Sequence, residues 1–386
     1  MIPFSRHKVS NSDIQSVVKV LRSNYLTTGP QVPLFENELK KITKAKFAFA
    51  CNSGSSALHL ACMALNLKKN DIVWTTPNTY AASANCVLNC GAKIDFVDID
   101  SNTWNISVEN LEKKLKIAKK RKKLPKAIIP IHFAGQPSEQ VKIKKLSEKY
   151  KFKIIEDASH SLGAYNNNEP VGSCKWSDIT VLSFHPVKII TTGEGGAVTT
   201  NNSIYANRIK LKRENGINHN KKLFKHSSYY PNYYEQIDTG YNYRMSDISA
   251  ALGRSQLKNL KKFVKYRNYV AKIYKSLFNK MPLKFQLVLN KYISSYHLFV
   301  IQFDKRRLKN NYSKIFTYLR KQGYFVNLHY KALHLNPLYK KFGFKKGQFP
   351  VSEKYSETAI SIPIYVGLNL KEIKKIVKTI KTIIED

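Results

Sequence analysis

The sequence predicts an α/β protein on a mostly parallel sheet, with a large domain over residues 1–245 and a smaller α+β domain over 246–386. Three observations carry this. From residue 47 to 157, short apolar runs alternate with segments of helical periodicity, the order that lays helices over both faces of parallel strands. Past Arg244 the pattern changes to a long helical stretch that Pro282 ends. At 386 residues the chain is also longer than most single cores.

The elements follow in order. Ile14, Val17, Val18 and Leu21 recur at helical spacing, so 12–23 reads as a helix that Thr27-Thr28-Gly29-Pro30 ends. A second helix covers about 33–43. The run 47–51 is a buried strand, followed by Asn52-Ser53-Gly54-Ser55-Ser56 and a helix. Strands at 72–74, 94–97, 127–131 and 153–157 then alternate with helices near 80–90, 107–118 and 138–150. The run 179–184 is a strand, and Gly193-Glu194-Gly195-Gly196 turns into another at 197–200. One long helix is expected over 246–277. Strands near 296–303 and 324–328 flank a helix at 309–322. Ile373, Ile376, Val377, Ile380 and Ile384 mark an amphipathic last helix at 369–384.

Composition narrows the function classes. Hydrophobic residues make up 43 %, and no apolar run approaches a membrane span. The start, Met1 to Arg6, lacks the apolar stretch of a signal peptide, and the five cysteines form no disulfide framework, so a reducing cytoplasm is expected. No metal site is expected. Lys+Arg number 65 against 26 Asp+Glu, a net charge of +39. Such a surplus attracts polyanions, but lysine, asparagine, isoleucine and tyrosine abound throughout, which marks a lysine-rich surface. There is no helix-turn-helix signal, zinc motif or RNP-type aromatic pattern, so no nucleic-acid partner is expected.

Chemistry concentrates at the strand ends. Asp157 closes one predicted strand and Lys188 follows another, inside S-F-H-P-V-K-I-I-T-T-G-E-G-G at 183–196. An acid and a lysine so placed suit pyridoxal 5'-phosphate: the lysine forms a Schiff base, and the acid keeps the pyridine nitrogen protonated. Gly54, Ser55 and Ser56 open a helix, where free amides attract a phosphate, although serine there also serves as a plain N-cap. Ser183 offers a further hydroxyl. Tyr80, at a strand-to-helix turn, and His160, just past Asp157, are positioned to cover the two faces of a ring. Each residue alone has a structural reading; their order along the chain is the signal.

These motifs resemble the DegT/DnrJ/EryC1/StrS family of sugar aminotransferases. The likeness runs over nearly the whole chain, through L-T-T-G-P at 26–30, N-S-G-S-S-A-L at 52–58, E-D-A-S-H at 156–160 and the Lys188 segment. It continues with G-Y-N-Y-R-M-S-D-I-S-A-A-L-G at 240–253, S-S-Y-H-L at 294–298, H-Y-K-A-L-H at 329–334 and S-I-P-I-Y-V-G-L at 361–368. The resemblance implies the PLP-dependent transferase fold of type I, aspartate aminotransferase-like, with a seven-stranded sheet. It implies Lys188 as the Schiff-base lysine, Asp157 as the pyridinium partner, Tyr80 and His160 around the ring, and Gly54, Ser55, Ser56 and Ser183 at the phosphate. Asn242 would reach that phosphate from a second subunit, which implies a homodimer with shared sites. Phe4, Asn24, Tyr25, Leu26 and Thr27, and Asn327, Leu328, His329 and Tyr330 match the sugar-nucleotide pocket, which Gly54, Ser183 and Asn242 would border. The chain departs from the pattern at Phe4, where many relatives have Tyr, and at Ala332, where many have Pro.

Residues 71–86 and 91–100 most resemble the branch of pseudaminic acid biosynthesis, which acts on a UDP-linked 4-keto-6-deoxy-N-acetyl-L-altrosamine sugar. The expected reaction moves an amino group from L-glutamate to C4 of that sugar. Other 4-keto sugars, of the L-Ara4N, perosamine or bacillosamine type, are the alternative. Family members that dehydrate sugars carry histidine in place of the lysine, and Lys188 argues against that chemistry.

Overall fold

The computed structural model describes residues 1–220, 224, 232–304 and 312–385. Seven strands form the central sheet: β1 Phe47–Cys51, β2 Ile72–Thr75, β3 Lys93–Phe96, β4 Ala127–Ile128, β5 Lys153–Asp157, β6 Ile179–Ser183 and β7 Gly196–Thr200. Their spatial order is β1-β7-β6-β5-β4-β2-β3. β7 runs antiparallel to both its neighbours, and the other pairings are parallel. Val73, Ile128, Ile155, Val181 and Val198 are fully buried, as expected of strands covered on both faces.

This topology gathers the chemistry on one edge. The parallel strands all end there, and β7 begins there, because Gly196 pairs with both Cys51 and Ser183. A Cβ on Gly196 would lie 2.4 Å from the Ser53 carbonyl oxygen and 2.8 Å from the Gly54 nitrogen. Only glycine lets the strand start so close under the 53–54 turn. The helix Gly54–Ala64 then leaves that turn, N-capped by Ser53 Oγ, which accepts from the Ser56 amide at 3.0 Å.

The C-terminal part carries a three-stranded antiparallel sheet of Leu283–Phe285, Phe299–Phe303 and Ala359–Ile362, with the middle segment central. The last helix, Leu370–Glu385, turns Ile373, Ile376, Val377 and Ile380 into this core, against Phe299, Ile301 and Ile360. Arg267 is buried there, and its guanidinium donates to the carbonyls of Tyr296, His297 and Ile364.

Two expectations are corrected. The stretch 246–277 is two helices, Asp247–Leu257 and Leu260–Leu277. The Asn259 amide donates to Gln256 in a tight turn. The first helix buries Ala250 and Leu257 in the core under the Lys188 segment; the second stays in that core through Leu260, Phe263 and Val264 and enters the C-terminal core at Val270, Ala271 and Tyr274. The 324–328 strand is only Tyr324–Phe325, and it pairs in parallel with Ile2–Pro3. Asn327 then bridges Ser361 instead. The 309–322 helix is observed as Tyr312–Lys321, and residues 309–311 lie outside the described residues. Among the described residues no helix is long and apolar enough to cross a membrane, and no cluster of His, Cys, Asp or Glu could hold a metal ion.

Candidate active site

A cavity of about 600 Å³ opens at the strand-end edge, and Asp157 and Lys188 both line it. Asp157 ends β5 with 5 % of its surface exposed. Its Oδ2 accepts from Ser83 Oγ at 2.7 Å, and its Oδ1 accepts from the Ser159 amide at 3.1 Å. Ser83, its proton given to the carboxylate, accepts in turn from Thr79 Oγ1 at 2.8 Å. The carboxylate is thus fixed from behind and keeps lone pairs for the cavity.

Lys188 follows β6 in a short turn, with its amide donating to the His185 carbonyl at 2.9 Å. Among the described residues its Nζ has no hydrogen-bond or ion-pair partner. Burial pushes its pKa down to about 8, and the Asp157 charge opposes that fall. An unpartnered amine poised near neutrality is what a carbonyl-capturing, proton-moving lysine requires.

The start of the helix Gly54–Ala64 borders the same cavity. The amides of Gly54 and Ser55, which a helix start leaves without intrahelical acceptors, border the cavity together with the Ser55 and Ser183 side chains. A Cβ on Gly54 would lie 2.8 Å from Ser183 Cβ and 2.9 Å from its Oγ. Glycine therefore keeps this corner open. Ser56 is placed differently: its buried hydroxyl donates to Asn52 Oδ1 at 2.6 Å and lies behind the cavity wall.

The side walls are aromatic. Tyr80 borders the cavity with 62 % exposure. His160 is buried, 4.3 Å between ring centroids from His297. Burial, with smaller contributions from Lys188 and His329, pushes its pKa well down, so its ring is neutral. Asn327, Leu328, His329 and Tyr330 line the outer wall. His329 is also held neutral, its pKa lowered to about 3 by burial and then by Lys188. The Phe4 ring packs 5.1 Å from it.

Other expected residues stand elsewhere in the single chain. Tyr25 edges a separate hollow of about 260 Å³ beside Lys19 and Arg254. Thr27 bridges Ser246, and the Leu26 carbonyl accepts from the Asp247 amide. Asn24 and Asn242 are exposed and do not line the cavity. Sequence reading missed Ser83 and Thr79, which hold Asp157. The available signal was spacing: Ser83 stands one helical turn beyond both Thr79 and Tyr80.

Comparisons with known proteins come from both sequence and structure. Residues 7–381 match the model of the DegT/DnrJ/EryC1/StrS aminotransferase family. The chain is 37 % identical over 387 residues to a UDP-4-amino-4,6-dideoxy-N-acetyl-beta-L-altrosamine transaminase of Campylobacter jejuni, covering 100 % of this chain and 98 % of that one. It is 38 % identical, at the same coverage, to the uncharacterized protein MJ1066 of Methanocaldococcus jannaschii. Among solved structures it superposes on Helicobacter pylori PseC, an aminotransferase of pseudaminic acid biosynthesis. The TM-score is 0.89 and the identity 30 %, covering 100 % of this chain and 99 % of that one.

Proposed function

The chain belongs to the DegT/DnrJ/EryC1/StrS aminotransferase family, and from that premise we propose that it transfers the amino group of L-glutamate to C4 of a UDP-linked 4-keto-6-deoxy-N-acetyl-L-altrosamine sugar, as in pseudaminic acid biosynthesis. Sugar amination and pyridoxal phosphate come with the family. The finer reading is supported most by the 37 % identity, end to end, with the altrosamine transaminase. We read the enzyme as cytoplasmic.

The residues fit the cofactor: a glycine-open helix start with two serine hydroxyls for a phosphate, a fixed carboxylate, and an unpartnered lysine. When bound, pyridoxal phosphate supplies an electron sink for the carbanion at the reacting carbon. In our assignment Lys188 anchors it. Burial holds the lysine's pKa below its ordinary range, at about 8, which favours a neutral Nζ that takes a proton from the substrate carbon and returns it. Asp157 accepts from the ring nitrogen and holds its proton. Gly54, Ser55 and Ser183 bind the phosphate. Ser56 supports the turn from behind. Tyr80 and His160 cover the ring, and neutral His160 brings no charge against it. Phe4 and 327–330 wall the sugar side.

A panel of UDP-, GDP- and dTDP-4-keto sugars with glutamate, read by mass spectrometry, tests the substrate. Glutamate-dependent gain of an amine is expected fastest on the UDP-linked altrosamine-type sugar. Much faster turnover of a GDP- or dTDP-linked sugar would overturn this choice.

We further propose a homodimer with shared sites. Tyr25 and Leu26 are 56 % and 48 % exposed, Tyr241 is 43 % exposed, and Asn242 is exposed beside it. In a dimer these segments would complete a second copy's cavity, with Asn242 at its phosphate and Asn24 to Thr27 at its sugar. Mixing inactive Lys188→Ala with inactive Asn242→Ala chains should then restore about a quarter of normal activity, since half the dimers are hybrids with one intact site each. No recovery after proven subunit exchange would exclude shared sites.

A further inference from the structure

One hydroxyl at the cavity has a proton that the protein does not use. The Ala134 amide donates to His160 Nδ1 at 3.3 Å. An amide can only donate, so Nδ1 is the unprotonated nitrogen, and the neutral ring carries its proton on Nε2. Nε2 lies 3.1 Å from Tyr330 Oη. The imidazole therefore donates and the phenol oxygen accepts. Tyr330's own hydrogen is left over, and among the described residues no acceptor takes it.

The phenol is also held in place. The Tyr330 amide donates to Asn78 Oδ1 at 3.0 Å. The preceding carbonyl, of His329, accepts from Tyr355 Oη at 2.8 Å. Burial, then the charge of Asp157 and the neighbouring Tyr80, raise the phenol's pKa, so it stays protonated. An accepted hydrogen bond polarises a phenol and strengthens it as a donor. The site thus has a free amine, Lys188, and a separate, fixed O–H donor.

We propose that Tyr330 moves the proton at the carbonyl oxygen of the substrate: it donates to the C4 oxygen of the keto sugar and, in the reverse sense, takes the proton from the oxygen that becomes the 2-oxo group of the keto acid product while passing its own to the nitrogen. This rests on the aminotransferase reading above. During sugar amination the C4–N bonds form, the C4–O bonds break, and the oxygen leaves as water. The two hydrogens of that water come formally from the amine. Tyr330 lends its proton to the oxygen and is reprotonated from the nitrogen, so no net proton is consumed. Lys188 moves the carbon-bound proton, a different step.

That division gives the test. In cofactor-loaded Tyr330→Phe, exchange of the glutamate α-hydrogen with deuterated water should continue within about threefold of normal. Release of 2-oxoglutarate and amination of the keto sugar should each slow on the order of a hundredfold or more, as loss of a positioned acid commonly does. Independently, ¹⁵N NMR of the cofactor-free wild-type protein should show His160 protonated at Nε2, with that signal moving in Tyr330→Phe. Equal slowing of exchange and of the carbonyl steps, unchanged carbonyl steps, or a His160 protonated at Nδ1 would each overturn the proposal. If the wild type aminates none of the keto sugars, the substrate reading fails, while the glutamate arm still decides the role of Tyr330.

Discussion

Lys188→Ala should abolish turnover, by about ten-thousandfold or more, because it removes both the covalent anchor and the proton carrier. It should also abolish the yellow absorbance of the attached cofactor, while Gly54, Ser55 and Ser183 still bind phosphate. The wild-type pH dependence is a finer check. Burial outweighs Asp157 and leaves Nζ with a pKa of about 8. Below that value the protonated amine cannot attack an aldehyde; above it the neutral amine predominates. Capture of added pyridoxal phosphate by cofactor-free protein should therefore accelerate about tenfold per pH unit up to roughly pH 8 and then level off. An exposed lysine would keep accelerating toward its ordinary range above pH 10. Borohydride-trapped cofactor on another lysine, or a rate still climbing past pH 9, would remove Lys188 from this role.

The parts of this arrangement that were readable in the sequence are those a short window encodes. β5 and β6 are short apolar runs, so Asp157 could be placed at a strand end and Ser183 within a residue of one from the sequence alone. The Lys188 turn carries its own signature in Gly193-Glu194-Gly195-Gly196, and the contact of Gly196 with the 53–54 backbone explains one of those glycines. What escaped depends on distant pairing. His160 and Tyr330 meet across 170 positions, and the amide that fixes the histidine proton comes from Ala134, which no periodicity marks. The two-residue strand Ile2–Pro3 is too short to show alternation, and its partner lies near the other end of the chain. The break at Lys258-Asn259 has neither glycine nor proline to announce it, and Leu257 and Leu260 on either side of it pack in the same core, so no change of apolar pattern marks it. Asn242 and the 24–27 segment have motifs but no place at their own chain's cavity, so their roles can be tested only in the assembled protein.

Asp157→Asn should have two effects of opposite sign, which makes it more telling than a simple loss. The carboxylate accepts from Ser83 on one oxygen and from the Ser159 amide on the other. An asparagine keeps one acceptor; its NH₂ must face either the Ser159 amide, where two donors clash, or Ser83, whose hydroxyl then has to turn away. The residue stays nearly isosteric, so the cavity and the phosphate cradle persist and cofactor should still bind. The charge that holds a proton on the ring nitrogen is gone, however, and the electron sink weakens. Removal of such a preorganised group commonly costs about a hundred- to a thousandfold, and turnover should fall by that much. Lys188 responds the other way. Asp157 is the anion that raises its pKa against burial, so without it the pKa falls further below 8. A larger share of Nζ is then neutral at pH 7, and the plateau of cofactor capture should move to lower pH. Faster capture at neutral pH combined with collapsed turnover would be the signature of one carboxylate serving both the ring nitrogen and the lysine. Near-normal turnover, or a capture profile that stays put or moves to higher pH, would show that Asp157 serves neither.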